Sequence, residues 1–356
     1  MADADGNVVA TGRFAGTASF GGTPALVASG ASDIVLAKYR GDGTHLWSKR
    51  FGGTLDDLGA GVAVDAAKNV YLTGYFRGTV DFGGGPITVP LDTDLDVFVA
   101  KFDMDGAHGW SRNFWNSGTD RGTAIAVAGG NVAIVGYFTN SINFNSPTDS
   151  SSFLDAGAPY VDAFVTKLSA SDGTHVWSKQ IGTVSDNDFA YGVAIDGSGS
   201  VLVTGFVTGS VDFGGGALTP LGGWDTYVAK YSATNGAHQW SRRIGGSQDD
   251  QGYSVAVDAT NNVYIVGGFQ DVASFGGTSL TTDPSTSDGY VAKYSPTGIP
   301  GWARQLGGSG SDIAQKVTIG AGYLSVVGFY NGSGDFNGTP LTSAGLADGF
   351  AVRLAP

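Results

Sequence analysis

The sequence predicts an all-β chain, a six-bladed β-propeller of four-stranded antiparallel blades, on three observations. A phrase of Asp, apolar run and Lys returns at intervals of about 60–66 residues: Asp33 to Lys38, Asp96 to Lys101, Asp162 to Lys167, Asp225 to Lys230 and Asp288 to Lys293, with a degraded copy from Asp348 to Arg353. Each interval holds about four short apolar runs, the number that one propeller blade needs. The composition is that of turns and strands, with 59 Gly, 11 Pro and no Cys, and all 32 acidic residues are Asp. Asp bonds its own backbone in turns and caps, whereas the better helix former, Glu, is absent.

The second repeat shows the elements in order. Gly59 to Asp65 is a short run of small residues (strand a), and Asn69 to Phe76 is apolar on both faces (strand b). A loop carrying Val80-Asp-Phe-Gly-Gly leads to Asp96–Phe102 (strand c) and His108–Phe114 (strand d). Asp105-Gly106 between c and d is a hairpin signal, repeated as Asp42-Gly43, Asp172-Gly173, Asn235-Gly236 and, more weakly, Thr297-Gly298. Strand a holds a small residue at one place (Ala63, Ala126, Ala194, Ala256, Thr318) and strand d a Trp (Trp47, Trp110, Trp177, Trp240, Trp302). Small inside and large outside is the taper that radial packing of twisted sheets requires. The repeats run over about 1–65, 66–128, 129–196, 197–258, 259–320 and 321–356, as one domain over 1–356. The first blade lacks most of strand a and the last lacks strand d. This leaves an incomplete seam whose edge strands invite pairing with another chain or a missing segment.

Three motifs carry a family resemblance: Asp-x-Gly-x-x-Val-Ala-Val-Asp at 57–65 and 250–258, Asn-Val-Tyr-Leu/Ile-Thr/Val-Gly at 69–74 and 262–267, and Asp-x-Phe/Tyr-Val-Ala-Lys in strand c. This pattern resembles the bacterial SBBP-type β-propeller repeat and covers essentially the whole chain. The resemblance implies a propeller of bacterial, often cell-surface, proteins and is tied to no single activity.

The charge bounds the partners. A net charge of −13 and a pI near 4.5 oppose nucleic acid and anionic membranes and suit an extracellular or cell-surface protein. No run approaches the roughly 18 apolar residues of a membrane span. Met1-Ala-Asp-Ala-Asp leads into the repeat with no visible signal peptide.

Candidate site residues are those that depart from the repeat. The b–c and d–a loops share one face, and there Trp115 replaces a repeat Gly, Trp224 precedes strand c, and Tyr160 ends an enlarged loop over 145–160. Such aromatic residues can hold the flat faces of sugars or a peptide, or they can fill gaps between blades. Asp57, Asp120, Asp188, Asp250 and Asp312 open strand a and read as inter-blade ties, with Lys49, Arg112, Lys179, Arg242 and Arg304 as candidate compensating charges. Asp92, Asp94 and Asp96 are spaced to suit calcium, the one cofactor the sequence suggests. His45, His108, His175 and His238 occupy equivalent places in different blades, too far apart to share one ion, and read as rim residues. No nucleophile–base pair stands out, so no catalytic residue is assigned. The reading is a non-catalytic binding or display module whose ligand is a glycan or protein. The alternative is a secreted polysaccharide hydrolase or lyase using axial Asp residues.

Overall fold

The computed structural model describes residues 1–89, 94–144, 152–157, 159–183, 185–320 and 322–356. They are all β, six antiparallel blades of the β-propeller class, and none of them forms an α-helix. The blades fall into two compact units, Met1–Gln180 and Ile181–Pro356. In the first unit, blade 1 has strands b (Val8–Phe14), c (Asp33–Tyr39) and d (His45–Phe51). Blade 2 has a (Leu58–Val64), b (Val70–Phe76), c (Asp96–Phe102) and d (His108–Phe114), and blade 3 has a (Asp120–Ala128), b (Asn131–Thr139), c (Val161–Ser169) and d (His175–Ile181). In the second unit, blade 4 has a (Asp188–Ile195), b (Val201–Val207), c (Asp225–Tyr231) and d (His238–Gly246). Blade 5 has a (Gln251–Val257), b (Val263–Gln270), c (Ser287–Tyr294) and d (Pro300–Gly308), and blade 6 has a (Ile313–Gly320), b (Tyr323–Tyr330) and c (Asp348–Leu354). The first and last blades each have three strands in the main sheet, as the sequence predicts.

In blades 2 and 5, strands b and c are apolar on both faces because each of these blades is covered on both flanks within its unit. Their period of two sends alternate residues to different inter-blade cores. In unit 1, Leu72 and Phe98 join Ile34 and Leu36 of blade 1, while Tyr71, Val97 and Val99 join Ile134 and Phe164 of blade 3. In unit 2, Leu202 and Val228 of blade 4 meet Ile265 and Tyr290 of blade 5, and Tyr264, Val266 and Val291 face Val326 and Phe350 of blade 6. Each such side chain contributes about 1.5–3 kcal/mol through burial.

The Val-Asp-Phe-Gly-Gly segment is more than the loop expected from sequence. In blade 2 it folds as a hairpin pairing Thr79–Asp81 with Pro86–Thr88, and every blade has its counterpart. In blade 2 its Val80 and Phe82 are buried in the core shared with blade 1, Phe82 lying 4.6 Å from Phe98 and 5.3 Å from Phe51. The hairpin tip explains the histidines. A Cβ on Gly84 would come within 2.4 Å of the His108 ring, and one on Gly215 within 2.2 Å of His238. The ring also meets a hydroxyl at its own strand: His108 Nε2 lies 3.2 Å from Ser111 Oγ and His238 Nε2 3.1 Å from Ser241 Oγ. These are packing residues under a glycine turn.

The outer strand clasps the next blade. Trp47 Nε1 donates to the Met104 carbonyl (3.2 Å), Trp110 to Ala170 (3.3 Å) and Trp240 to Pro296 (3.0 Å). The Lys that ends the repeated phrase reaches the same carbonyls, Lys38 to Met104, Lys101 to Ala170 and Lys230 to Pro296. Lys38 and Lys230 are also paired with Asp3 (2.9 Å) and Asp196 (2.7 Å) of the a–b turn. In urea denaturation, Trp240→Phe should cost about 1 kcal/mol through the lost N–H bond and Trp240→Ala about 3–5 kcal/mol through the cavity.

Candidate functional site

Two places depart from the repeat in ways that matter chemically: a carboxylate junction in unit 1 and an aromatic stack in unit 2. Between neighbouring blades, the Asp that opens strand c of one approaches the Asp that opens strand a of the next. A glycine lies between them in the left-handed half of φ space (Gly52 +151°, Gly245 +145°, Gly307 +153°). A Cβ on Gly52 would lie 2.7 Å from the carboxylates of both Asp33 and Asp57. Gly245 is wedged in the same way between Asp225 and Asp250, and Gly307 between Asp288 and Asp312.

Backbone amides hold the strand-a carboxylate at both oxygens. Gly53 and Arg77 donate to Asp57 (2.9 and 3.0 Å), Gly246 and Gln270 to Asp250 (2.7 and 3.4 Å), and Gly308 and Asn331 to Asp312 (2.8 and 2.9 Å). The strand-c carboxylate takes a side-chain donor from strand d: Arg50 on Asp33 (2.5 Å), Arg243 on Asp225 (2.6 Å), Gln180 on Asp162 and Gln305 on Asp288. This corrects one expectation. Arg112 and Arg242 do not serve the carboxylates; they donate to the Asp172 and Gly298 carbonyls of the next c–d turn. The compensating position is the adjacent one in strand d, whose side chain points to the other side of the sheet.

The junction of blades 2 and 3 lacks these parts. Asn113 stands where Arg or Gln stands elsewhere, and Trp115 replaces the wedge glycine. Asn116 turns its side chain to Ser141 Oγ (2.6 Å), and the Thr139 amide donates to the Thr119 carbonyl (3.1 Å). Both Asp120 oxygens are buried with no hydrogen-bond partner, on a residue with 0% exposure. Burial, together with Asp94, pushes Asp96 up to about 7. Burial, then Asp96 and Asp94, hold Asp120 well above the usual carboxylate range, and the dipole of the nearby Thr139 amide offsets this least. Asp92 lies outside the described residues. Among the described residues, no three His or Asp converge tightly enough to hold a metal ion.

The aromatic stack is built on a β-bulge. Every inner strand slips register after its Asp, and the bulged residue is Ala60, Thr123, Tyr191, Tyr253 or Gln315. A bulge re-aims its side chain. In blade 4, Phe206 lies between two rings, Trp224 at 4.8 Å and 16° and Tyr191 at 5.4 Å and 21°. Phe189 lies at 5.2 Å from Phe206, and Tyr253 of blade 5 meets Tyr191 edge-on at 5.8 Å. Phe206 is buried, whereas Trp224, Tyr191, Phe189 and Tyr253 are each partly exposed. Around them stand Asp249, whose carboxylate accepts the Trp224 amide (3.1 Å), and Gln251, bonded to the Tyr253 hydroxyl. The positions equivalent to Phe189 and Trp224 in blade 2 carry Leu58 and Leu95.

Of the sequence-predicted site residues, Trp224 is therefore one leaf of a stack. Trp115 packs half-buried against the apolar cluster of Phe51, Phe76 and Phe82. Tyr160 is half-buried with its amide on the Gly157 carbonyl (3.2 Å). Asp188 takes the Thr208 amide (3.2 Å) in the manner of its siblings. Sequence reasoning missed Phe189, Tyr191, Phe206 and Tyr253; the available signal was an aromatic at bulge positions that hold Ala or Thr in unit 1.

The junction carboxyls make stability depend on pH. Burial raises Asp57 to about 6, Asp250 to about 7 and Asp288 to about 6. The fold therefore holds protons that the unfolded chain releases near pH 4, and this stabilisation is lost as pH rises through 6–7. Asp258, partly buried but held down to about 2 by Asn262 and Thr260, adds stability that is lost as pH falls from near 4 through 2. The melting temperature should peak near pH 4–5 and fall toward pH 8; a profile that rises over that range would contradict these environments.

Residues 176–205 and 239–267 match the SBBP beta-propeller repeat, each stretch running from the outer strand of one blade into strand b of the next. The chain is 24% identical to a WD repeat-containing protein of Acanthamoeba polyphaga mimivirus over 92% of its length, and 26% identical to the regulatory protein FlaEY of Caulobacter vibrioides over 91%. It spans about a third of the length of these curated relatives, 29% and 35%. A crystal structure of a protein of unknown function from Bacteroides caccae aligns with a TM-score of 0.44 at 9% identity, covering 89% of this chain and 82% of that one.

Proposed function

We propose that the chain is a non-catalytic binding module, displayed outside the cell or on the surface of a bacterium, that holds a glycan on the aromatic stack of blades 4 and 5. The observation that carries this reading is the Trp224–Phe206–Tyr191 stack with its partly exposed outer rings. A repeat needs no such stack, because unit 1 forms the same strands without it. Flat indole and phenol faces suit the apolar faces of pyranose rings, and Asp249 and Gln251 offer acceptors for hydroxyl groups. The net charge of −13 favours a neutral ligand over a polyanion. The relatives bear the names of a repeat protein and a regulatory protein, which accords with binding rather than turnover. The hydrolase or lyase reading needs carboxyls that a substrate can reach, and the junction Asp residues are buried.

A glycan array followed by calorimetry tests this. Trp224→Ala and Tyr191→Ala should each weaken the best ligand by about tenfold or more, whereas Trp115→Ala should leave affinity unchanged. Equal binding by wild type and Trp224→Ala, or a hit only among peptides, would overturn the glycan assignment. Location is tested by protease treatment of intact cells, which should degrade the protein if it is displayed.

A further inference from the structure

The four junctions inside the two units form an internal comparison. At two of them a guanidinium nitrogen stands against the strand-c carboxylate, 2.5 Å away for Arg50–Asp33 and 2.6 Å for Arg243–Asp225. At a third, the Gln305 amide serves Asp288. Blades 2 and 3 put Asn113 at this position, a side chain too short to copy the Arg arrangement, and no side-chain donor replaces it among the described residues. The same junction has lost its wedge glycine to Trp115. The segments that supply the two amides at the sibling junctions bond Ser141 and Thr119 instead, through the Asn116 side chain and the Thr139 amide. The two buried carboxyls act on each other through space at a junction that has Asn113 in place of the strand-d cation, which Arg50 and Arg243 supply elsewhere. An ionised buried carboxylate with no partner costs several kcal/mol. Asp120, fully buried and with both oxygens unpartnered, is the group that most needs an external partner.

We propose that a hard divalent cation of the calcium class binds between Asp96 and Asp120, supplying the positive charge that a guanidinium brings to the strand-c carboxylate at two of the sibling junctions. Two carboxylates match its charge, and their all-oxygen character selects a hard ion over a soft one. No third acidic or imidazole ligand converges on the place among the described residues, so backbone carbonyls and water complete the shell. Asp94 lies close enough to act on both carboxyls through space, which raises the negative potential at the site. The ion's structural effect is to tie blade 2 to blade 3.

The test uses the full chain freed of metal by a chelator at pH 8. Calorimetry with calcium chloride, and separately with magnesium chloride, should find one site for calcium in the wild type. Saturation should raise the melting temperature by about 5 °C or more. Asn113→Arg rebuilds the sibling arrangement within the chain. It should melt in chelator near the temperature of the calcium-loaded wild type and be indifferent to calcium. Asp120→Asn should also lose the calcium shift. The proposal is overturned if calcium neither binds nor shifts the wild-type melt, as a proton-sharing pair would behave. It is equally overturned if Asn113→Arg or Asp120→Asn keeps the full shift, which would place the ion elsewhere.

Discussion

At three of the four junctions inside the units, neighbouring blades meet at a buried pair of carboxyl groups with a glycine between them, and much of the repeat serves that arrangement. The strand-a Asp must accept two backbone amides, which fixes the d–a loop and the start of the b–c connection around it. The strand-c Asp must take a donor from strand d, which fixes which residue of that strand points inward. The glycine between them cannot carry a Cβ. At the other end of the same strand c, Lys reaches the next blade's c–d turn. The phrase Asp–apolar–Lys is therefore one strand tied at both ends with a two-sided apolar middle, and this is why it is the clearest signal in the chain.

Such a scaffold separates the residues that hold blades together from those free to do something else. A position that keeps its type in every blade is answering to the junction, the taper or the hairpin. A position that departs is released from those demands or is compensated locally. Blade 4 departs by gathering aromatics on an inner-strand bulge, where Ala or Thr suffices in unit 1. Blades 2 and 3 depart, among the described residues, by losing the strand-d donor and the wedge glycine of the junction. The first departure adds apolar surface open to solvent, which suits a ligand; the second leaves the buried Asp120 carboxyl without a hydrogen-bond partner, which suits an ion. Both arise from substitutions at a few repeat positions while the strands around them are unchanged.

The strands, their order and the taper were legible in the sequence because they rest on period-two patterning and on turn residues, which act locally. The placing of the His residues beside the hairpins was legible from their equivalent positions in the repeat. The Gly-Gly turn that covers His108 and His238 was not. The hairpin at Val80-Asp-Phe escaped because three-residue strands carry too little periodicity to show. The choice of Arg112 and Arg242 as carboxylate partners failed on strand alternation: the functional donor is the next residue along, on the opposite face. Trp224 stood out as a lone aromatic, but its partners Tyr191 and Phe206 come from strands a and b of the same blade. Only the bulge in strand a brings Tyr191 onto the face of Phe206. The defect at Asp120 was hidden because its consequence lies in bonds that are absent, and those become visible only beside the junctions that keep them.

The most direct measurement of the central claim is the stability cost of removing the strand-a carboxylate at each junction, by urea denaturation in chelator at neutral pH. Asp57→Ala, Asp250→Ala and Asp312→Ala each orphan two part-buried amides and should cost about 2–4 kcal/mol, whereas Asp120→Ala orphans none and should cost far less. Equal losses at all four positions would show that the carboxylate–amide bonds are not what holds neighbouring blades together.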